Sequence, residues 1–474
     1  MSTLISSYVV PVPPSKVSSR ERSHGGNWWA LLFILHFFLP YLPGTRYRIE
    51  VFTLLLGLLF PLGRTWSATV YETDLLLMSG LSACWSLMRI GLQPHPEGLA
   101  PSAIQWINLN FPFLATCFYL LLRSRLQRHR YELVPILLLV GLINNLIAGV
   151  QYAYPDWPYH QLIYRLYGGT ISEGYDTLAL QTGQGEMTNA EFLARMGGRY
   201  TGLLATSHML SVFNVWLIGL AWAYMERSEA TRSQTLLGWL AILSGLWGGV
   251  LSGGKMFYLG VIVTFTILLL LKRQFTLLLW GGLMAAGLFT IGLQFLGEDH
   301  AVRLEIQRLF AGDWQSLIET RFAADGYLRE TFEALLTDGS LLWWGTGADL
   351  GSLVAADNLF LLPILTGGVP QLVLYVLPFV WLLRWLWQLM AREPSYCPML
   401  YSLHLSFLIS GIGVPVYQMG RLAPLMWILT LCLMYPAPIP RGSRYSDRKT
   451  SPSWEELGIR RVRNNTPVGP EHKG

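Results

Sequence analysis

The stretch "GTGADLGSLVAADNLFLLPILTGGVPQLVLY" runs from Gly345 to Tyr375. It opens on glycines and polar residues, meets the pair Asp357-Asn358, and turns into a long apolar run. From about 357 to 390 that run suffices to cross a bilayer as a helix, which takes about 20 mostly apolar residues. An acid and an amide therefore stand at the mouth of a spanning helix. Asp357 can cap the free N–H groups of the first turn and meet the positive end of the helix dipole. It can equally serve chemistry at the membrane surface, and the residues alone leave both readings open.

Apolar runs of this kind recur along all 474 residues, which are 52% hydrophobic and only 13% charged. Soluble domains carry about a quarter charged residues. The pattern predicts an all-α polytopic membrane protein of about twelve transmembrane helices. They are expected near 27–43, 50–63, 71–91, 103–123, 132–153, 200–225, 234–251, 255–271, 275–296, 357–390, 397–415 and 421–437. Residues 1–26, with Lys16, Arg20 and Arg22, read as a basic cytoplasmic tail and not as a cleaved signal peptide. Residues 27–440 form one transmembrane domain. Residues 441–474 are polar and proline-bearing, the composition of a disordered cytoplasmic tail. No internal repeat is evident.

Lysine and arginine set the orientation. Arg123, Arg125, Arg128 and Arg130 follow the fourth span, Arg227 and Arg232 the sixth, and Lys272 and Arg273 separate the eighth from the ninth. With Arg441, Arg444, Arg448 and Lys449 they fall on one, cytoplasmic, side; Arg46 and Arg48 are the exception among short loops. Two long periplasmic loops follow, about 154–199 and 297–356. The second has amphipathic helical patterning: Val302, Ile306, Leu309 and Phe310 share one face, and Leu328, Phe332, Leu335 and Leu336 repeat it. Such helices can lie on the bilayer surface, cap a cavity or pack against the spans.

The outer loops use arginine and never lysine: Arg165, Arg195 and Arg199 in the first, Arg303, Arg308, Arg321 and Arg329 in the second. The guanidinium fork suits bidentate phosphate contact and does not titrate away. The chain as a whole favours arginine, so the bias is also compositional. Carboxylates are abundant there, and one of them can take the proton of an attacking hydroxyl. His208 and His404 lie in apolar runs, where hydrogen-bonded packing is the ordinary role; His208 stands about two and a half helical turns after Arg199. Lys255, in "LSGGKMFYLGV" (Leu251–Val261), lies between two spans on the outer side. The positive-inside rule disfavours it there, so either it snorkels or it has an anionic partner. Asn108, Asn110, Asn144 and Asn145 at membrane depth are expected to hydrogen-bond between helices. Cys84, Cys117, Cys397 and Cys432 have no metal-ligand spacing and read as packing residues. "GLWGGVLSGGK" lacks the Ser or Thr that follows lysine in a phosphate loop. No cofactor, metal or nucleic-acid partner is expected, and an ATP-driven pump is not.

In order along the chain, three places resemble the bacterial O-antigen polymerase and O-antigen ligase superfamily, which assembles surface polysaccharides. "GGRYTGLLATSHMLSVFNVWL" (Gly197–Leu217) resembles its Arg-x-x-Gly lead into a span, with Arg199 and Gly202 matching. Leu251–Val261 resembles its Ser-rich basic hairpin, with Lys255 where arginine is more usual. The Gly345–Tyr375 stretch resembles its glycine loop, Asn-x-x-Leu and Gly-Gly helix, with Gly345, Gly347, Asp357, Asn358, Leu361, Gly367 and Gly368 matching. Arg321 stands where the family tends to keep an arginine. The resemblance covers roughly Arg195 to Tyr375; the N-terminal spans match only in hydropathy. Ligases of the family carry histidine where Asp357 stands, which tilts the reading toward a polymerase.

The resemblance implies a glycosyltransferase of the inner membrane that joins undecaprenyl-diphosphate-linked oligosaccharide repeat units into O-antigen, capsule or exopolysaccharide. Asp357, Arg199 and Arg321 would be catalytic. Arg303, Arg308, Lys255, Asn358 and His208 would bind substrate. Besides the bilayer, a flippase and a chain-length regulator are the partners it implies. A ligase-type transferase keeps the same fold. A lipid-linked sugar flippase or secondary transporter is the rival class, and it often shows two similar halves, which this chain lacks.

Overall fold

The computed structural model describes residues 26–38, 69–92, 99–154, 200–204, 206–227, 230–282, 329–347, 358–411, 417 and 422–434. Every regular element among the described residues is helical: α1 (Gly26–His36), α2 (Val70–Gly91), α3 (Leu99–Leu109), α4 (Phe111–Ala153), α5 (Ser207–Met225), α6 (Arg232–Leu251), α7 (Lys255–Leu271), α8 (Arg329–Thr337), α9 (Gly339–Trp344), α10 (Leu361–Leu389), α11 (Cys397–Ser410) and α12 (Leu422–Leu433). Residues 275–282 are helical as well. Four helices, α4, α5, α6 and α10, are long and apolar enough to cross a membrane, while α7, α11 and α12 are shorter apolar helices. The expected span at 50–63, most of that at 275–296, the stretch 302–310, the first outer loop and both tails lie outside the described residues.

Local chemistry sets where these helices start. Thr69 and Glu72 form a reciprocal capping box at α2, with Thr69 N donating to Glu72 Oε2 at 2.7 Å. The other oxygen of the fully buried Glu72 meets Arg123 Nε at 3.2 Å, tying the start of α2 to α4. Thr231 and Gln234 repeat the capping box at α6. Such boxes satisfy N–H groups that the first helical turn otherwise leaves unpaired.

Helical bonding in α4 is continuous through Arg123–Arg130, where two spans and a loop were expected. A straight helix of that length would measure about 64 Å, twice a bilayer core. Its neighbours, however, are met in opposite orders along its two halves. In the first half Phe113 lies by Gly80 and Arg123 by Glu72, moving toward the start of α2. In the second, Gly141 lies by Leu217, Asn145 by Asn214 and Gln151 by Gly202, moving toward the start of α5. The start of α2 and the end of α5 share one end of the bundle: Tyr71 stacks on Trp385 near the end of α10, and Glu226 lines one cavity with Met390, Ala391 and Pro394 just beyond it. The two halves of α4 therefore run antiparallel, with the reversal at the arginines, as the orientation of the expected spans requires.

That end gathers cations. The guanidinium groups of Arg130 and Arg227 each lie 4.4 Å from the Tyr131 ring, and Lys272 pairs with Glu226. Glu393 lies between α10 and α11. Burial raises its carboxyl above the usual range, and the charges of Arg130 and Arg227 offset this only in part. α11 leads away from this cation end. Tyr401 packs on Trp387, Ser406 Oγ donates to Gly260 O at 3.3 Å, and Gly411 O accepts from Leu359 N at 2.7 Å. The beginnings of α7 and α10 therefore share the opposite end.

Between the ends the core is aromatic. Phe379 sits 4.5 Å from Tyr417 and 5.2 Å from Trp427, and Phe111 stacks on Tyr417 at 5.9 Å. His404 is buried there, its Nδ1 2.5 Å from Tyr417 Oη and its Nε2 2.8 Å from Thr430 Oγ1, which is the packing role expected of it. Asn110 bridges Ser82 and Ser86 of α2, and Asn145 donates to Asn214 Oδ1 at 2.8 Å, so these amides do join helices. The cysteines are free thiols.

One face differs from expectation. In α8 the buried side is Thr331, Phe332 and Leu335, whereas Leu336 is 83% exposed. Residue 336 is rotated about 100° from Leu335 and falls off the stripe. Leu335 joins Leu341, Leu361 and Leu365 in one apolar cluster, so α8 is linked through α9 to the start of α10.

Candidate functional site

The chain around the Arg-x-x-Gly segment is tied to the Ser-rich hairpin. Tyr200, the residue after Arg199, donates its N–H to Leu251 O at 3.1 Å. Gly202 N donates to Gln151 Oε1 at 3.0 Å and Leu203 N to Asn144 Oδ1 at 2.7 Å. Ser211 and Ser252 share a hydrogen bond of 2.7 Å between their hydroxyls. Two segments some fifty residues apart are thus held together by buried polar groups at the end away from the cations. Lys255 is the first residue of α7, after Gly254. That is the positive end of a helix dipole, a place that favours an anion and not a cation.

His208 requires a correction. The span expected from 200 begins at Ser207, because Gly202 turns the chain with φ 59° and Thr206 Oγ1 caps the helix by accepting from Met209 N at 3.1 Å. His208 is therefore the second residue of α5 and is half-buried; the helical spacing from Arg199 does not exist.

The third segment is built around a break in α10. Gly367 (φ −144°, ψ 19°) and Gly368 (φ 71°, ψ −167°) interrupt the helix after a first segment of residues 361–366. The glycine loop crosses this break. Thr346 N donates to Leu365 O at 2.6 Å and Gly347 N to Thr366 O at 3.0 Å. These are the carbonyls that a helix ending at the break leaves without partners. The approach is close: a Cβ on Gly368 would meet Trp343 O at 2.1 Å. Asn358, 6% exposed, caps the same segment, its Oδ1 accepting from Phe360 N at 2.9 Å and Leu361 N at 3.3 Å.

Asp357, Arg199, Arg321, Arg303 and Arg308 lie outside the described residues, and of Lys255 only the backbone position is described. What the structure brings to one end is their sequence surroundings: Tyr200–Leu203, Leu251–Gly254, and Gly345–Gly347 with Asn358–Gly368.

Three side chains that the sequence reading passed over also meet there. Trp85 Nε1 donates to Gly367 O at 3.0 Å, and Arg89 Nη2 to Gly345 O at 3.3 Å. Gln105 Nε2 donates to Thr366 Oγ1 at 2.9 Å and Gly347 O at 3.3 Å. Arg89 carried the same signal as Lys255, a cation on the side where the positive-inside rule disfavours one. Next to the loop, Asp338 caps α9. The Ser340 hydroxyl and the Ser340 and Leu341 N–H groups hold its carboxyl below the usual range.

Among the described residues no group of His, Cys, Asp or Glu has the arrangement of a metal site. Compared with known proteins, the chain matches no protein-family model and no curated protein.

Proposed function

We propose that this chain is a multi-pass enzyme of the inner membrane, with about twelve spans and both outer loops on the periplasmic face, that polymerises lipid-linked oligosaccharide repeat units into a surface polysaccharide. The observation that carries the reading is convergence: the three segments that resemble the polymerase and ligase superfamily lie at one end of the bundle, opposite the gathered cations. Cations gathered at one end are what the positive-inside rule expects of the cytoplasmic face.

In this reading a hydroxyl oxygen of one repeat unit attacks the anomeric carbon of a glycan carried on undecaprenyl diphosphate. The bond from that carbon to the diphosphate oxygen breaks, and the diphosphate leaves with the electron pair. The hydroxyl proton passes to the Asp357 carboxylate, a residue type that serves as a general base. Arg199 and Arg321, with Arg303, Arg308 and Lys255 as further donors, neutralise charge on the leaving diphosphate, where it develops. Asn358 caps the helix start that follows Asp357 in the sequence. His208, on the first turn of α5, is the remaining binding candidate.

Replacing Asp357 by Asn removes the base at nearly constant shape. Polymer is then expected to disappear while the protein still inserts in the membrane. Undiminished polymer from that variant contradicts the assignment.

A further inference from the structure

The first segment of α10, residues 361–366, is too short to be a stable helix by itself. It is held at both ends. At its start Asn358 caps it and Leu359 N is tethered to Gly411 O. At its finish the Gly345–Gly347 strap fills the free carbonyls of Leu365 and Thr366. The strap and the break in turn present carbonyls of their own. Each of three, Gly345 O, Gly347 O and Gly367 O, receives a side-chain donor: Arg89, Gln105 and Trp85 respectively. Gln105 reaches both the strap and Thr366 Oγ1, so it clamps the two together. All three donors come from α2 and α3, the part of the chain that the family resemblance does not cover.

We infer that Trp85, Arg89 and Gln105 are positioning residues that hold the Gly345–Gly347 strap on the break of α10, and through it the helix start that follows Asp357. The structural half of this stands on the distances above; its consequence for catalysis rests on the polymerase reading. In this design α2 and α3 supply the rigid frame and the chain from Arg199 onward supplies the reacting groups.

The test uses the full chain in lipid nanodiscs with two conservative variants. Gln105→Glu keeps the shape and removes the donor. Trp85→Phe keeps an aromatic ring against Trp344 and removes the indole N–H. Amide exchange at Thr346 and Gly347 is expected to quicken roughly three- to tenfold, the weight of one buried hydrogen bond, with the amides of α5 and α6 unchanged. With lipid-linked repeat units as substrate, kcat per folded molecule falls while KM holds, the signature of an interaction used only in the transition state. Unchanged exchange at Thr346 and Gly347 in both variants overturns the positioning role, whatever the activity. Faster exchange with unchanged kcat overturns its link to the chemistry. If the unmodified protein makes no polymer, the proposed function fails, and the exchange result still decides the structural half.

Discussion

Replacing Gly368 by alanine tests the break in α10 at its tightest point. The residue sits at φ 71° and ψ −167°, a region that side-chain-bearing residues reach only at about 1–3 kcal/mol. The new methyl would also stand 2.1 Å from Trp343 O and 2.6 Å from Trp344 N. Both are backbone atoms at the end of α9, so the chain leading into the strap must move, and the strap with it. Moving it lengthens the bonds from Thr346 N to Leu365 O and from Gly347 N to Thr366 O. At about 0.5–1.5 kcal/mol for each, the total loss is roughly 2–6 kcal/mol. Gly339→Ala is the control, because a methyl there meets nothing within 4 Å and Gly339 opens the helix α9. That change should be neutral or stabilising by up to about 1 kcal/mol. Thermal unfolding in detergent, read alongside exchange at Thr346 and Gly347, separates the two. Equal stability of Gly368→Ala and the unmodified protein would refute the account of the break.

Two further outcomes follow from the buried polar groups. Asn214→Leu leaves the Asn145 amide without its partner in the bundle, so it should lower stability by about 1–2 kcal/mol, and the double change with Asn145→Leu should recover part of that, since an orphaned group costs more than an absent pair. A double variant no better than the single one would show that the pair does not act as a unit. Burial raises the Glu393 carboxyl above its ordinary value of 4.5, so the folded state binds the proton more tightly than the unfolded state. Its contribution is then full below that value and is lost as pH rises through the folded pKa. Glu393→Gln should remove this slope and stabilise the protein at neutral pH; a pH profile of unfolding that keeps its slope in the variant would contradict it.

Much of the helical plan was legible because hydropathy and capping residues report on the same boundaries. The run from Lys255 to Leu271 begins after two glycines and ends at Lys272, and the structure's α7 has those limits. The expectation that Asn110 and Asn145 would bond between helices holds, since an amide among apolar side chains has few other partners. The start of α5 was misplaced because hydropathy continues smoothly through Leu203 and Leu204, while the turn depends on Gly202 and on the cap at Thr206. The break in α10 was hidden for the same reason. Gly367-Gly368 read as part of a matching motif, but the strap that fills the break is some twenty residues away, and only tertiary contact reveals it. Arg89 stands out locally as a cation on the outer side, but its partner, like those of Trp85 and Gln105, is a carbonyl more than two hundred residues distant, which no local pattern assigns.

The central claim is tested most directly by a gel of lipid-linked and released glycans from cells with and without the gene. The account predicts that loss of the gene erases the ladder and leaves single repeat units accumulating on the carrier. Full-length polymer stranded on the carrier would contradict it in favour of a ligase, and an unchanged profile would contradict it in favour of transport or another substrate.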